Sequence, residues 1–189
     1  MRRRPLLALI AVLFVVGAVV ALRPVDEQTP RIATTGAPPA GPARVGLSGL
    51  TRDRDRLLDG GPKAFQARLA QLRSVPVVVN QWASWCGPCR LEFPFFQRLA
   101  RRYEGRVAFL GVNSQDADDD ARAFLLEFPT SFPHFSDPDA SIAREFRGGR
   151  AWPTTAYYSA DGSLAHTQLG GYADEAGLDA DIRKWALGA

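Results

Sequence analysis

The fold is decided by the stretch Pro76-Val77-Val78-Val79-Asn80-Gln81-Trp82-Ala83-Ser84-Trp85-Cys86-Gly87-Pro88-Cys89. Residues 76–79 are apolar and mostly β-branched, which is typical of a strand buried on both faces. The end of the stretch holds both cysteines of the protein. Over residues 91–103 apolar side chains recur at helical spacing, and the pattern stops at Gly105. The sequence therefore predicts a buried strand that brings a cysteine pair to the start of a helix.

The flanking sequence extends this unit into an α/β sandwich. We predict further helices over 62–72, 118–128, 140–146 and 175–187, and further strands over 107–112, 154–159 and 164–169. The last two strands flank an Asp161-Gly162 turn, which indicates a hairpin. Three Asp residues, 118–120, open one helix and complement its dipole, so we assign them no ligand. Strands that alternate with helices and end in a hairpin predict an α/β sandwich.

Composition excludes several classes of protein. The 189 residues are 46% apolar and include 17 Gly, 14 Pro and two Cys, which rules out a disordered, collagen-like or disulfide-stapled chain. The formal charge of +3 arises in residues 1–44, which hold six Arg and two acidic residues. The remaining residues hold 17 basic and 18 acidic side chains, and no basic face is evident. We therefore expect no nucleic-acid partner.

The N-terminus reads as a membrane-targeting segment. Arg2, Arg3 and Arg4 precede an uncharged run of 18 residues, 5–22. A run that is apolar on every face is not a core helix, and the positive cluster is expected to stay in the cytoplasm. Two outcomes remain open: an uncleaved anchor, giving a single-pass protein of the cell membrane with its catalytic domain extracytoplasmic, or a cleaved signal peptide and a secreted protein.

The chain divides into three parts on this reading. Residues 1–22 form the signal anchor or signal peptide, and residues 23–45 form a Pro/Ala/Gly-rich tether with little to bury. Residues 46–189 are enough for one folded domain with a single core.

The cysteine pair predicts thiol-disulfide exchange. A thiol at a helix N-terminus lies near unpaired backbone N–H groups and the positive end of the dipole, which lower its pKa below about 8.5. We therefore expect Cys86 to be the nucleophile and Cys89, one turn further on, to resolve the mixed disulfide. Pro88 lies in the first turn, where its missing N–H costs no helical bond.

Three other uses of the pair are disfavoured. A structural disulfide closing so short a loop would stabilise little. A zinc site needs about four ligands, and only His134 and His166 could complete one. Haem attachment needs a His directly after Cys89, where Arg90 stands. We expect no metal and no dissociable cofactor, and we interpret both His residues as surface or satisfied loop residues.

Residues 80–94, Asn-Gln-Trp-Ala-Ser-Trp-Cys-Gly-Pro-Cys-Arg-Leu-Glu-Phe-Pro, resemble the active-site stretch of the TlpA/ResA-like (CcmG/DsbE-like) membrane-tethered proteins. The resemblance covers most of residues 62–187. It implies a thioredoxin-like three-layer α/β/α sandwich with a mixed central sheet, in which residues 118–128 form the family's insertion. It also implies that Trp152-Pro153-Thr154-Thr155 is the second signature, with a cis bond before Pro153 and a loop that faces the cysteines.

The resemblance also implies a proton acceptor. Thioredoxin carries a buried Asp six residues before its first active-site Cys, and this chain has Asn80 there. The TlpA/ResA-like proteins instead implicate a Glu six residues after that Cys, the place of Glu92. In partly buried, apolar surroundings such a Glu has a raised pKa and can accept the proton of Cys89. A solvated helix Glu is the alternative reading.

The predicted substrate groove combines both signatures. We expect an extended substrate strand to pair with the backbone beside Pro153 near Cys86. Trp152 is bulkier than usual at its position, so it either covers the cysteines or forms part of the groove. We interpret Trp82 as a core residue. The full set of expected substrate-binding residues is Trp85, Gly87, Pro88, Trp152, Pro153 and Thr154.

The sequence thus predicts a monomeric, extracytoplasmic thiol-disulfide oxidoreductase. Its implied partners are an exported Cys-containing protein such as apocytochrome c, a transmembrane thiol-disulfide electron donor, and the membrane through the N-terminal segment. Two rivals stay open. One is an exported oxidant that forms disulfides, because the motif alone does not set the direction of electron flow. The other is a copper-delivery protein using both cysteines and a distant His, although two intervening residues favour redox geometry.

Overall fold

The computed structural model describes residues 42–189. The predicted membrane segment, 1–22, and residues 23–41 of the predicted tether lie outside this range. In the described range we find no helix with both the length and the apolar character needed to cross a membrane.

The described residues form helices and strands in alternation. The strands are β1 (Leu57–Leu58), β2 (Val77–Trp82), β3 (Ala108–Ser114), β4 (His134–Asp137), β5 (Thr154–Tyr158) and β6 (Leu164–Leu169). The helices are α1 (Pro42–Arg52), α2 (Gly61–Gln71), α3 (Gly87–Arg102), α4 (Asp118–Glu127), α5 (Ser141–Glu145) and α6 (Glu175–Asp181). A π-helical turn over Ile182–Ala186 continues α6.

The strands build one mixed sheet in the order β1-β4-β3-β2-β5-β6. Strands β1 to β4 run parallel to one another, whereas β5 is antiparallel to both β2 and β6. Because β2 lies in the middle of the sheet, its six residues are all buried. The active-site stretch therefore starts from a central, fully covered strand.

Two layers of helices cover the sheet, and the side chains of β2 alternate between them. Val77 and Val79 pack in the core with residues of α2 and α5. Val78 packs on the other face with residues of α3 and α6. Since successive side chains of a strand point to opposite faces, Asn80 and Trp82 share the α3 face with Val78, and Gln81 lies on the α5 face. The three-layer α/β/α arrangement with a mixed sheet is as predicted.

Three elements were not predicted from the sequence. Helix α1 begins at Pro42, inside the segment predicted as tether. Strands β1 and β4 were missed because they are short and β4 is rich in polar residues. His134 is therefore no surface or loop residue: it is fully buried in β4. Its polar atoms are satisfied, since Trp82 Nε1 donates to Nδ1 at 3.0 Å and Thr130 Oγ1 lies 2.8 Å from Nε2.

Candidate active site

The cysteine pair occupies the first turn of α3, four residues after β2 ends. A disulfide joins Cys86 and Cys89, whose Cα atoms are 5.3 Å apart. Cys86 is the N-cap of α3, and the backbone N–H of Cys89 donates to its Sγ at 3.2 Å. Such a contact favours negative charge on the sulfur of Cys86. Cys86 is 3% exposed and Cys89 is fully buried, so of the two cysteines only the first borders the surface.

A carboxylate that the sequence analysis did not single out fixes the loop before the pair. Asp116 accepts hydrogen bonds from the backbone N–H of Ser84 at 2.5 Å and from its hydroxyl at 2.8 Å. It also accepts from Asn113 Nδ2 at 2.8 Å and from the N–H of Ala117 at 3.0 Å. Asp116 thus ties the loop after β3 to the loop that leads into Cys86. No motif marks this role, because the partners come together only in the folded sheet.

Glu92 lies on α3, three residues after Cys89, and is fully buried. Residues three apart on a helix are neighbours on one face, so the carboxyl group and the Cys89 thiol share a side of α3. Asn80 Nδ2 donates to Glu92 Oε1 at 2.7 Å, and the N–H of Tyr172 donates to Oε2 at 3.1 Å. Burial raises the pKa of Glu92 to about 7, although both hydrogen bonds act to lower it. Glu92 was predicted to be partly buried, and in the structure it is fully buried.

The backbone that contacts Glu92 is held by a chain of hydroxyl groups. The Tyr172 hydroxyl donates to Asp181 Oδ2 at 2.7 Å. Its oxygen lies 2.5 Å from the Tyr157 hydroxyl, which is left as the donor of that pair. Tyr172 is in this way anchored to both β5 and α6, so its N–H is a fixed donor for Glu92.

The second predicted signature packs, through Trp152, on the cluster that contains the cysteines. The Trp152-Pro153 peptide bond is cis, as predicted. Trp152 packs against the core cluster that contains both cysteines, and its ring lies 5.4 Å from the Trp85 ring. Pro153 is buried, and its carbonyl accepts from the N–H of Gly170 at 2.9 Å. Trp152 is therefore a half-buried ring beside Trp85 at the edge of that cluster.

The cysteine pair has an exposed rim made mostly of residues singled out from the sequence. Trp85 is 58% exposed, its Nε1 donates to the carbonyl of Gln115 at 3.0 Å, and Gly87 and Pro88 are exposed beside it. Leu91, 73% exposed on α3, adds an apolar surface that the sequence analysis missed.

Thr154 differs from its prediction as a substrate-binding residue. It is fully buried, and its hydroxyl donates to the Ala151 carbonyl at 2.9 Å. It is the first residue of β5 and pairs with both β2 and β6, so neither its side chain nor its strand edge is open to a substrate. Thr154 supports the loop before Pro153 from inside the sheet.

Gln81, to which the sequence analysis gave no role, supports the same loop. Its Oε1 accepts from the N–H of Gly149 at 2.9 Å, three residues before Trp152. A Cβ at the neighbouring Gly148 would lie 2.2 Å from this Oε1, so the loop approaches Gln81 as closely as only glycine allows.

The histidines lie apart from the cysteine chemistry. Both ring nitrogens of His134 have hydrogen-bond partners, and burial lowers the pKa of its ring to about 3. His166 stacks on Trp185 with ring centroids 4.3 Å apart. Within residues 42–189 no cluster of three or more His, Cys, Asp or Glu side chains could hold a metal ion.

Comparisons with known proteins find one family model and several curated relatives. A family model described as Redoxin matches residues 52–182. The thiol:disulfide interchange protein CycY of Rhizobium leguminosarum bv. viciae is 31% identical over 102 residues, which are 53% of this chain and 53% of that protein. The thiol:disulfide interchange protein DsbE of Pseudomonas fluorescens biotype C is 32% identical over 102 residues, 53% of this chain and 55% of that protein. The chain thus matches about half the length of these relatives.

Solved structures show the same architecture. A DsbF homologue from Corynebacterium diphtheriae superposes with a TM-score of 0.57 at 25% identity, over 61% of this chain and 75% of that chain. A thiol:disulfide interchange protein of the thioredoxin family from Chlorobium tepidum TLS gives a TM-score of 0.56 at 21% identity, over 61% and 83%. The second likeness concerns the fold alone.

Proposed function

The chain belongs to the Redoxin family and is a thiol-disulfide oxidoreductase, and from that premise we propose that it reduces disulfides of exported proteins outside the cytoplasm. Its thioredoxin-like fold and its membership of the CcmG/DsbE-like group, both predicted from the sequence, are confirmed. Apocytochrome c is the substrate that the sequence resemblance favours, and a transmembrane thiol-disulfide protein is the proposed electron donor.

One observation carries the proposal: a redox-active cysteine pair at the start of α3 with a buried carboxyl group on the same helix face. The exposed rim gives a substrate access to Cys86 only, so the first attack comes from this sulfur. The thiolate of Cys86 attacks a substrate disulfide, a Cys86–substrate S–S bond forms, and the first substrate thiolate leaves.

The second step needs a proton acceptor. The Cys89 thiol gives its proton to the Glu92 carboxylate and attacks Cys86 Sγ. The Cys86–Cys89 bond forms, the second substrate thiolate leaves, and two electrons have passed from the dithiol to the substrate. Because the pKa of Glu92 is raised to about 7, the group can both take up and release a proton near neutral pH. The electron donor then reduces the disulfide again.

Trapping tests the order of the two sulfurs. We expect Cys89→Ser in the full chain to accumulate mixed disulfides in cells, because Cys86 still attacks and nothing resolves the product. These adducts run as reductant-sensitive bands on non-reducing gels. Cys86→Ser is the matched control and should give none. Equal trapping by both variants, or by neither, contradicts the assignment.

The reduction potential tests the direction of electron flow. We expect the full chain, equilibrated with a defined thiol-disulfide buffer, to give a potential at or below about −220 mV. A value near about −120 mV would make the protein an exported oxidant. A pair that does not cycle but binds Cu(I) tightly would favour copper delivery. The location is tested separately: a membrane-impermeant thiol reagent should label Cys86 in intact cells after reduction.

A further inference from the structure

The proton that Glu92 takes up in the resolving step must leave again. After the Cys86–Cys89 bond forms, the carboxyl group holds this proton, and the two substrate thiolates take their protons from water. Glu92 can return its proton to Cys89 when the disulfide is next reduced, or it can pass the proton to water. The second route lets the carboxyl group equilibrate with solvent between turnovers. It needs a path, because Glu92 is fully buried.

The hydrogen-bond partners of Glu92 do not supply this path. Within residues 42–189 they are the side-chain amide of Asn80, at 2.7 Å, and the backbone N–H of Tyr172, at 3.1 Å. Both are amide groups, which donate a hydrogen bond but do not take up a proton at working pH. Cys89, on the same face of α3, is itself fully buried. A proton that goes to solvent must therefore pass from the carboxyl group directly to a water molecule.

The cover over Glu92 is thin at Gly171, in the loop after β6. Gly171 is exposed, and a Cβ built on it would lie 3.5 Å from Glu92 Oε2. The other atoms nearest to that Cβ position are Cγ and Cδ of Pro153, at 3.3 and 3.6 Å. One carboxyl oxygen and one edge of the Pro153 ring thus lie directly beneath an exposed residue that has no side chain.

Neither the backbone nor burial explains a glycine at position 171. The φ angle of Gly171 lies outside the left-handed region that favours glycine, in contrast to the neighbouring Gly170 with a φ of 86°. An exposed loop position also accepts most side chains without cost. A methyl group at position 171 would fit with a small adjustment against Pro153, and it would occupy the space above Glu92 Oε2. The missing side chain therefore matters for the active site and not for the loop itself.

We propose that Gly171 is the port through which Glu92 exchanges its proton with water. Small motions of the loop admit a water molecule to Oε2, because no side chain stands between this oxygen and the solvent. The carboxyl O–H bond breaks, the proton passes to that water molecule, and Glu92 is left as a carboxylate that accepts from the N–H of Tyr172. The port rests on the proposed role of Glu92, and it makes Gly171 a positioning residue that acts through Glu92.

The other ionisable groups near Glu92 do not offer a rival route. Burial raises the pKa of the Tyr157 phenol, on β5, and of the Tyr172 phenol above the usual value, so both stay neutral in the working range. Asp181, on α6, accepts from the Tyr172 hydroxyl, whose oxygen also contacts the Tyr157 hydroxyl. In the described part of the chain none of these three side chains forms a hydrogen bond with the Glu92 carboxyl group.

A rapid pH jump on the oxidised full-length protein tests the port without any step at the cysteines. The probe is the infrared carbonyl band of protonated Glu92, assigned by its loss in Glu92→Gln, and the jump runs upward across neutrality. We expect Gly171→Ala to slow the decay of this band by about tenfold, because the methyl group takes the place of the water and one hydrogen-bonded step of the transfer is lost. Ala173→Val, at an exposed position of the same loop, is the control and should leave the decay rate unchanged.

A second variant separates proton passage from a change of shape. Gly171→Ser adds nearly the same bulk as Gly171→Ala, but its hydroxyl group can accept and donate a proton, so we expect it to restore most of the decay rate. A decay rate in Gly171→Ala equal to that of the unmodified protein overturns the port. Equal slowing in both variants overturns it as well, because the added bulk then acts by displacing Pro153 or Glu92.

A separate measurement decides the proposed role of Glu92. When the reduced protein reacts with 5,5′-dithiobis(2-nitrobenzoate), the second thionitrobenzoate release reports Cys89 attacking the Cys86 mixed disulfide. If Glu92→Gln gives this release as fast as the unmodified protein, Glu92 is not the proton acceptor of Cys89. The pH jump still decides the port in that case, because it follows the Glu92 proton in the oxidised protein alone.

Discussion

At the scale of single residues, Gly111 shows how tightly the layer beneath the active site is packed. Gly111 lies on β3 opposite His134 of β4, and a Cβ at this position would lie 1.9 Å from His134 Nδ1. The ring cannot withdraw freely, because Trp82 and Thr130 hold its two nitrogens. The missing side chain of Gly111 is thus what admits the buried His134.

We expect Gly111→Ala to destabilise the oxidised protein by about 1–3 kcal/mol, the usual cost of overpacking a core. Urea unfolding measures this change. Gly87→Ala is the control, because a Cβ there meets nothing within 4 Å. Equal unfolding free energies of the two variants would show that the packing around His134 adjusts to an added Cβ without loss of stability.

Sequence reasoning at this scale predicted the relative positions of residues where those positions depend on local spacing. Cys86, Cys89 and Glu92 lie within seven residues of one helix start, so their mutual positions follow from helix geometry. The supporting roles of Gln81 and Asp116 were not predicted, because their hydrogen-bond partners Gly149 and Ser84 lie 68 and 32 residues away along the chain. The prediction of Thr154 as a substrate-binding residue was wrong for a related reason. Pairing on both sides of β5 buries Thr154, and that pairing is not a local property of the sequence.

At the scale of elements, the Asp116 carboxylate fastens the loop after β3 to the start of α3. Removing it leaves the N–H of Ser84 and the amide of Asn113 without their acceptor. We expect Asp116→Ala to cost about 1–3 kcal/mol of unfolding free energy and to raise proteolytic cleavage near Ser84. Asp119→Ala, at an exposed position of α4, serves as control and should change stability little. If both variants behave alike, the loop is held by other contacts.

Element prediction depended on how strongly each pattern is periodic. Strands β2 and β3 are long and apolar, and α3 carries a clear helical period, so their positions were predicted closely. Strand β1 has two residues, and β4 reads His-Phe-Ser-Asp, which carries no strand pattern. Both exist because parallel pairing with β3 and with each other satisfies their backbones.

At the scale of the whole molecule, two buried groups bias stability against pH in opposite directions. The pKa of Glu92 is raised from 4.5 to about 7, so the folded protein keeps a proton that the unfolded chain has lost, and stability falls as pH rises through this window. The pKa of His134 is lowered from 6.5 to about 3, so stability falls as pH drops below 6.5. The two trends oppose each other between about pH 4.5 and 6.5.

Glu92→Gln is expected to remove the opposing effect of Glu92 and leave the pH dependence of stability that His134 causes. The free energy of unfolding of the variant should rise more steeply with pH between about pH 4.5 and 6.5 than that of the unmodified protein. Above pH 7 it should be the larger of the two by up to about 3 kcal/mol. Unfolding free energies of the oxidised proteins from pH 4 to 8 measure both curves. A difference between the curves that is constant with pH would show that burial does not raise the pKa of Glu92.

The sequence by itself determined the α/β class and the cysteine pair at the strand–helix junction, because hydrophobic periodicity and spacing are local properties. The role of Glu92 was an expectation from the family resemblance. Only the tertiary structure decided which partners surround that junction. The Asn80 amide reaches Glu92 because β2 and α3 pack face to face, and Thr155 stands opposite Asn80 because β5 pairs antiparallel with β2. Those contacts join residues far apart in the chain, and burial in one core gives them their strength.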